Sequence, residues 1–339
     1  RLRKKLYRIP HEEPVVFLHG SGKRKTCLQK SVEALEAYLD KLKEYNHKLH
    51  VCGERNSYSK TDPDATFMRM KEDAMRNGQL KPAYNLQHGV DSEYITWLDL
   101  SSRPTDTRTL IPFLKDMEEA LPFKYQEIAA DAGYESEENY LFLEENGQLS
   151  YIKPQNYEIS KTRKYRQDMG RIENMEYDEG SDCYYCRNGR TLTAQYEKKE
   201  KTSSGYRRIV TVYRSSDCSG CPFKTECIKG NNCKTPMEER QKVLYVSKKL
   251  KEKRQETLER ITSEYGTRLR MNRSIQVEGS FANIKEDMGF RRYLYRGKAN
   301  VTAQSILLAI GYNINKLHHK IQAGRTGQHL FPLKQTAGF

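Results

Sequence analysis

The stretch Ile128-Ala129-Ala130-Asp131-Ala132-Gly133-Tyr134-Glu135-Ser136-Glu137-Glu138 decides how this chain is read. Three small apolar residues predict a short buried strand that ends at Asp131. Ala132-Gly133 turns the chain, and Ser136 caps a helix whose first turn holds Glu137 and Glu138, where the helix dipole favours them. Upstream, Tyr84 to Val90 and Tyr94 to Leu100 are β-rich runs separated by Asp91-Ser92-Glu93, which predicts a hairpin. Thr105 or Asp106 then caps a helix carrying Leu110, Phe113, Leu114, Met117 and Leu121. Downstream, Leu149 to Ile152 predicts another strand, stopped by Pro154. Hairpin, helix, strand, helix, strand is the order of a mixed α/β sheet with helices packed on it.

Further out, the pattern changes. Residues 1–80 read as a helical linker region. They include an amphipathic helix from Thr26 to about Leu49, with apolar positions Leu28, Val32, Leu35, Tyr38, Leu39, Leu42 and Tyr45. Asp62-Pro63-Asp64 marks a turn. The run Val15 to Leu18 followed by His19-Gly20-Ser21-Gly22-Lys23 fails the phosphate-loop template, with Phe17 in place of the first Gly and Arg24 in place of Ser or Thr. Residues 155–245 hold six of the eight Cys and β-branched runs such as Ile209 to Tyr213, so they read as an inserted β-rich module. Residues 246–325 read as helical. Val277, Phe281, Ile284 and Met288 mark one helix, and Val301, Ile306, Leu307, Ile310, Ile314 and Leu317 mark another. Residues 326–339 are a tail.

The chain has 339 residues and a formal net charge of +14. Its 10 Phe and 23 Tyr are too many aromatics for a disordered chain. No apolar run approaches the roughly 18–20 residues that a membrane helix needs. Basic charge concentrates in residues 241–300, with 15 Lys or Arg against 7 acids, and acidic charge in residues 111–150, with 10 acids against 2 bases. This asymmetry suits a protein that grips phosphates in one place and metal ions in another.

Three groups carry chemistry. Asp131 sits at the carboxyl end of a strand, where α/β sheets bind ligands, and a carboxylate there can hold a hard divalent cation. Glu278 lies on the predicted helix from Ser274 to Met288, beside the small residues Gly279 and Ser280, which let a helix approach a sheet. Lys285 is two turns on, expected on the same face. The third group is Cys183-x2-Cys186 and Cys218-x2-Cys221, followed by Cys227 and Cys233. Paired thiolate knuckles suit tetrahedral zinc, with Cys183, Cys186, Cys218 and Cys221 as ligands or Cys227 replacing one.

The segments Asp131 to Tyr140 and Met271-Asn272-Arg273-Ser274-Ile275-Gln276-Val277-Glu278-Gly279-Ser280-Phe281 together resemble bacterial insertion-sequence transposases of the DDE type. Glu54 to Ala65 and Leu80 to Gln87 are also similar to that family. The resemblance implies a ribonuclease-H-like catalytic fold, with residues 81–154 and 246–325 as its two halves and the Cys-bearing module as an insertion. It implies Asp131 and Glu278 as catalytic acids holding Mg²⁺ or Mn²⁺, with two ions roughly 3.5–4 Å apart when the site is complete. The carboxylates of Asp131 and Glu278 are then expected within roughly 4–8 Å of each other. Arg273, Lys285, Arg291, Arg292 and Arg296 are the DNA-gripping residues so implied. The partners are terminal-repeat and target DNA, on which the enzyme works as a homodimer in the bacterial cytoplasm at the nucleoid.

The family's first acid stands in an Asp-Gly-Thr context that this chain lacks. The resemblance therefore implies that an N-terminal part, with the central strand of the sheet, is missing. Asp91 is a weak substitute, at the wrong end of its ladder. The expectation is a gap or a filler beside the Asp131 strand, with Val15 to Leu18 as the only N-terminal run apolar enough to fill it. The alternatives to an enzyme are a non-catalytic zinc-containing DNA-binding protein and an inactive transposase remnant.

Overall fold

The computed structural model describes residues 17–70 apart from 21 and 23, then 78–230, 233–328 and 330. The chain divides into two units. The first takes in the residues up to Tyr84 together with Arg296–Lys298. Its main helix, α1 (Cys27–Cys52), starts where Thr26 accepts a hydrogen bond from the Gln29 amide. The amide of Gln29 is fully buried and exchanges two hydrogen bonds with the Leu18 backbone, at 2.9 and 2.6 Å. Phe17 to His19 form no strand, so the described part of the Val15–Leu18 run fills no sheet, and Val15 and Val16 lie outside the described residues. Strands β1 (Thr66–Arg69) and β2 (Leu80–Ala83) pair antiparallel; the polar composition of residues 50–80 gave no sign of them. Asp62 accepts from the Tyr84 hydroxyl and the Gly297 amide. The apolar stripe of α1 is not a core: Tyr38, Leu39, Leu42, Tyr45 and Leu49 are exposed.

The second unit holds the predicted α/β pattern. β3 (Asn85–Asp91) and β4 (Tyr94–Ser101) form the hairpin, with Ser92 and Glu93 both at positive φ, as a tight two-residue turn requires. A short 3₁₀ turn at Asp106–Arg108 leads into α2 (Leu110–Ala120). β5 (Glu127–Ala130) ends at Asp131, and α3 (Glu137–Glu145) starts at its Ser136 cap. β6 (Leu149–Ile152) runs parallel to β5. The strands' pleat sorts the faces. On one side, Gly89 and Trp97 meet Phe113 of α2, and the core is Leu110, Phe113, Leu114, Met117, Tyr140, Leu143 and Ile152. On the other side, His88 stacks on Phe281 with ring centroids 4.2 Å apart.

This is a mixed α/β fold consistent with a ribonuclease-H-like one, but its sheet is divided. Among the described residues β3 pairs only with β4, and β5 only with β6. Among the described residues no strand joins the two ladders.

After α4 (Arg163–Gln167) the insertion builds its own sheet, in the order β11-β10-β9-β8-β7. It comprises β7 (Glu176–Asp178), β8 (Cys183–Tyr185), β9 (Thr191–Lys201), β10 (Arg207–Ser215) and β11 (Val243–Val246), with the one-turn helix α5 (Lys224–Cys227) before the last strand. Its core is Met175, Tyr184, Leu192, Tyr213, Leu244 and Val246. α6 (Lys248–Thr262) and α7 (Glu264–Ala282) follow, then a π-helical turn at Asn283–Asp287 and α8 (Lys298–Gln322). α8 buries Val301, Ala309 and Tyr312, while the predicted stripe at Ile306, Leu307, Ile310, Ile314 and Leu317 faces solvent. Among the described residues no helix is long and apolar enough to cross a membrane.

α6 and α7 meet at a sharp corner capped by Ser263, and a Cβ on Gly266 would collide with the backbone of Arg260 and Ile261. Alanine in a helix normally gains about 1 kcal/mol over glycine. Gly266→Ala should instead destabilise the protein by about 1–3 kcal/mol, because the backbone must move. Urea unfolding of the two proteins checks the sign; a stabilised variant would show that the corner is not close-packed.

Candidate active site

Asp131 follows the last residue of β5. Its carboxylate accepts the amide of Ala132 at 2.6 Å, which pins the side chain to the mouth of the turn. The turn is tight for a stated reason: a Cβ on Gly133 would meet the Asp106 carboxylate at 2.7 Å. Asp106 accepts from Asn85 Nδ2 at 2.6 Å and from Gln87 Nε2 at 3.4 Å, so it ties the start of β3 to the loop after β5. Asp106 is thus not the cap of α2, whose cap position is Thr109.

Glu278 is on α7, five residues beyond Arg273. The Arg273 guanidinium lies 3.8 Å from a carboxylate oxygen of Asp131 and 3.8 Å from one of Glu278. The two acids thus share one cation, one through Nη2 and the other through Nη1. Both carboxylates are open to solvent, with side-chain exposures of 46% and 63%. Burial, with the Asp106 carboxylate adding, raises the nearby Tyr134 phenol, and Arg273 opposes the shift. The phenol stays a proton donor at neutral pH.

Anchors set this geometry. Glu135 is buried and takes a two-pronged grip from Arg254 of α6, at 2.7 and 3.1 Å, plus the Gln155 amide at 2.8 Å. Glu137 accepts from the hydroxyls of Tyr206 and Ser247, and Glu138 from that of Ser204. The first-turn acids of α3 therefore hold the insertion as well as complementing the helix dipole. Ser280, fully buried, bonds His88 Nδ1 at 3.1 Å and is the small residue that brings α7 down; a Cβ on Gly279 would meet open space.

The other expected residues are more scattered. The π turn adds a residue to the helical repeat, so exposed Lys285 does not continue the face of Glu278. Arg291 forms a two-pronged pair with Glu286, at 2.9 Å each, and Arg292 is exposed. Arg296 falls in the first unit. Tyr293 packs on Phe290 and bonds Ser305, whereas Tyr295 is exposed. Asp91 sits at the hairpin turn, about 20 Å along the strand from Asn85, which lies at the Asp106 end. It does not reach the acid pair.

In the insertion, Cys183 is buried on β8 opposite Thr193, while Cys186 and Cys227 both pack on the insertion core. Burial raises the Cys227 thiol; Lys242 opposes the shift and the Cys186, Cys218 and Cys221 thiols add to it. Among the described residues no three His, Cys, Asp or Glu side chains are already drawn together as a metal site. The acid pair still suits Mg²⁺, which is held by one or two carboxylates while waters and substrate phosphates complete its shell.

Residues 185–318 match the family model of the transposase DDE domain. The matched segment contains Arg273, Glu278 and five of the six insertion cysteines, while Asp131 and Cys183 precede it. Over that segment the chain is similar to the DDE transposases. No curated protein and no solved structure gives a match.

Burial pushes the His88 imidazole down to about 4. Its ordinary value is about 6.5, so the unfolded chain takes up the proton first. This stabilisation is complete above about pH 6.5 and is lost as pH falls toward about 4, a change of about 3 kcal/mol at most. Urea unfolding across that range should show the loss, and His88→Gln should flatten it. An unchanged profile in the variant would mean that the ring is not held neutral.

Proposed function

We propose that this chain is the greater part of a DDE transposase that cuts and joins DNA at insertion-sequence ends. The observation that carries the reading is the single guanidinium of Arg273 set between Asp131 and Glu278. Two accessible carboxylates converging on one cation are what a divalent ion at a phosphate requires. Asp131 and Glu278 hold Mg²⁺ or Mn²⁺; bound there, the metal supplies the Lewis acidity for phosphoryl transfer.

The chain's own residues do the rest. Arg273 lowers the repulsion between the two acids and presents donors suited to a phosphate. Tyr134 offers a proton donor beside the pair. Lys285, Arg291, Arg292 and Arg296 contact the DNA backbone, a term that falls with salt. A further strand, bearing the first acid, enters between the hairpin and β5. The working enzyme is a homodimer on DNA, in the cytoplasm at the nucleoid.

A second reading, a non-catalytic DNA-binding remnant, is favoured by the presence of only two acids at Arg273 among the described residues. Nicking of plasmid DNA separates the two. With the upstream reading frame restored, Mg²⁺- or Mn²⁺-dependent nicking should appear. Asp131→Asn or Glu278→Gln should then lower it by about 100-fold or more while leaving duplex binding intact. The chain as it stands should bind DNA and not nick it. Nicking that survives both substitutions would overturn the site.

Arg292→Ala should weaken duplex binding uniformly across sequences and reduce the slope of log affinity against log salt by about 1. Fluorescence anisotropy at several salt concentrations reads this. An unchanged slope removes Arg292 from the DNA contact.

A further inference from the structure

Residues 216–242 join β10 to β11 with almost no regular structure and, among the described residues, without one buried side chain. Phe223, Ile228 and Met237 are their only large apolar residues besides Cys. A segment this poor in core needs another restraint to hold one shape.

Several polar contacts here fall at or beside cysteines. The Cys186 amide bonds the Arg190 carbonyl at 2.9 Å, closing a tight turn with Gly189 at φ +68°. Arg190 then reaches across to the carbonyls of Asp217 and Ser219, at 2.7 and 2.8 Å, on either side of Cys218. Lys242 does the same from β11. Its amide points at Cys218 Sγ at 3.4 Å, and its ammonium bonds the carbonyls of Cys227 and Gly170 at 3.1 and 2.6 Å. The Cys227 carbonyl lies so close to Gly170 that a Cβ there would clash with it. Cys186 and Cys227 also share the same core.

We propose that Cys186, Cys218, Cys221 and Cys227 bind one zinc ion that staples this segment to the β7–β11 sheet. An all-thiolate set selects zinc over the hard cations of the acid pair. Rotation about χ1 moves a cysteine sulfur between staggered positions without disturbing the backbone bonds at Cys186 and Cys227, and Cys221 stands three residues from Cys218. The Lys242 amide on Cys218 Sγ is the kind of outer bond that orients a thiolate ligand. Arg190 and Lys242 bring positive charge to a centre that four thiolates leave net negative. Cys183 is excluded: it is buried in a paired strand whose alternation turns it away from the Tyr184 face, the face of the core on which Cys186 and Cys227 pack. Cys233 is exposed and has no part. The proposal stands apart from the transposase reading and survives its failure.

The test uses the full chain purified without chelators. Metal analysis should find about one zinc per chain. A thiol reagent should leave five cysteines unreacted under native conditions, the four ligands and buried Cys183, and a strong chelator should release the zinc and expose the four. Cobalt(II) exchanged into the protein should show the intense visible bands of tetrahedral thiolate ligation. Cys183→Ser should keep the zinc and Cys227→Ser should lose it. Should Cys227→Ser fail to fold, the cobalt spectrum and thiol protection of the unsubstituted chain still decide. Folded protein with no zinc, or iron in its place, overturns the proposal. So does retention by Cys227→Ser with loss by Cys183→Ser.

Discussion

Two ladders that share no backbone hydrogen bond carry the residues of the acid pair's surroundings, and the rest of the second unit is arranged around that constraint. In a continuous sheet, register would fix Asp131 relative to the hairpin. Here only side chains do so. α2 lays one apolar face under both pieces, meeting Trp97 from the hairpin and Ile128 and Ala130 from β5. α7 crosses the opposite face, gripped at the hairpin by His88 stacked on Phe281 and at β5 by Arg273. The position of Glu278 relative to Asp131 is thus a property of helix packing, and it depends on Ser280 being small enough to disappear into the contact.

Charge does part of the positioning that hydrogen-bonded strands would otherwise do. Glu135 and Arg254 are sequestered together, and each oxygen of the carboxylate has a donor. Removing one partner of such a pair leaves an uncompensated charge costing about 3–5 kcal/mol, which makes the contact unforgiving rather than strongly stabilising. That intolerance suits the loop directly after Asp131, where a small displacement would separate the two acids.

Local signals were legible and distant ones were not. Ser136 as a cap, Asp131 at a strand end and the Ser92-Glu93 turn depend on residues within a few positions, so composition and spacing sufficed. β1 and β2 are not legible because their pairing spans residues 70–79 and, within the two strands, only Thr66 and Met68 are buried. The relation of Lys285 to Glu278 failed because a π turn intervenes, and helical spacing has no way to register one. The apolar stripes on α1 and α8 show the converse: period 3.6 declares which residues share a face, not what that face meets. Among the thiols, spacing paired Cys183 with Cys186. The strand ends between them, so one faces the sheet's interior and the other the turn.

The long insertion between the two acids has a thermodynamic logic. Closing a loop costs little more as it lengthens, about 0.6 kcal/mol per doubling, provided the ends are held. The ends are held at the N-terminus of α3. Ser247, which caps α6 as the chain leaves the insertion, bonds Glu137, and Tyr206 from the insertion's long hairpin bonds the same carboxylate. Asp182 adds a second tie, accepting from Tyr177, Tyr213 and Lys248, and Lys248 and Tyr213 draw its carboxyl down to about 2. The inserted strands pair only with one another, so their register makes no demand on β5 or β6. The chain can therefore leave the α/β part after β6, fold a separate sheet, and return α7 to the Asp131 loop. That return carries Glu278 to its partner acid, and the contacts at the insertion's stem set where it arrives.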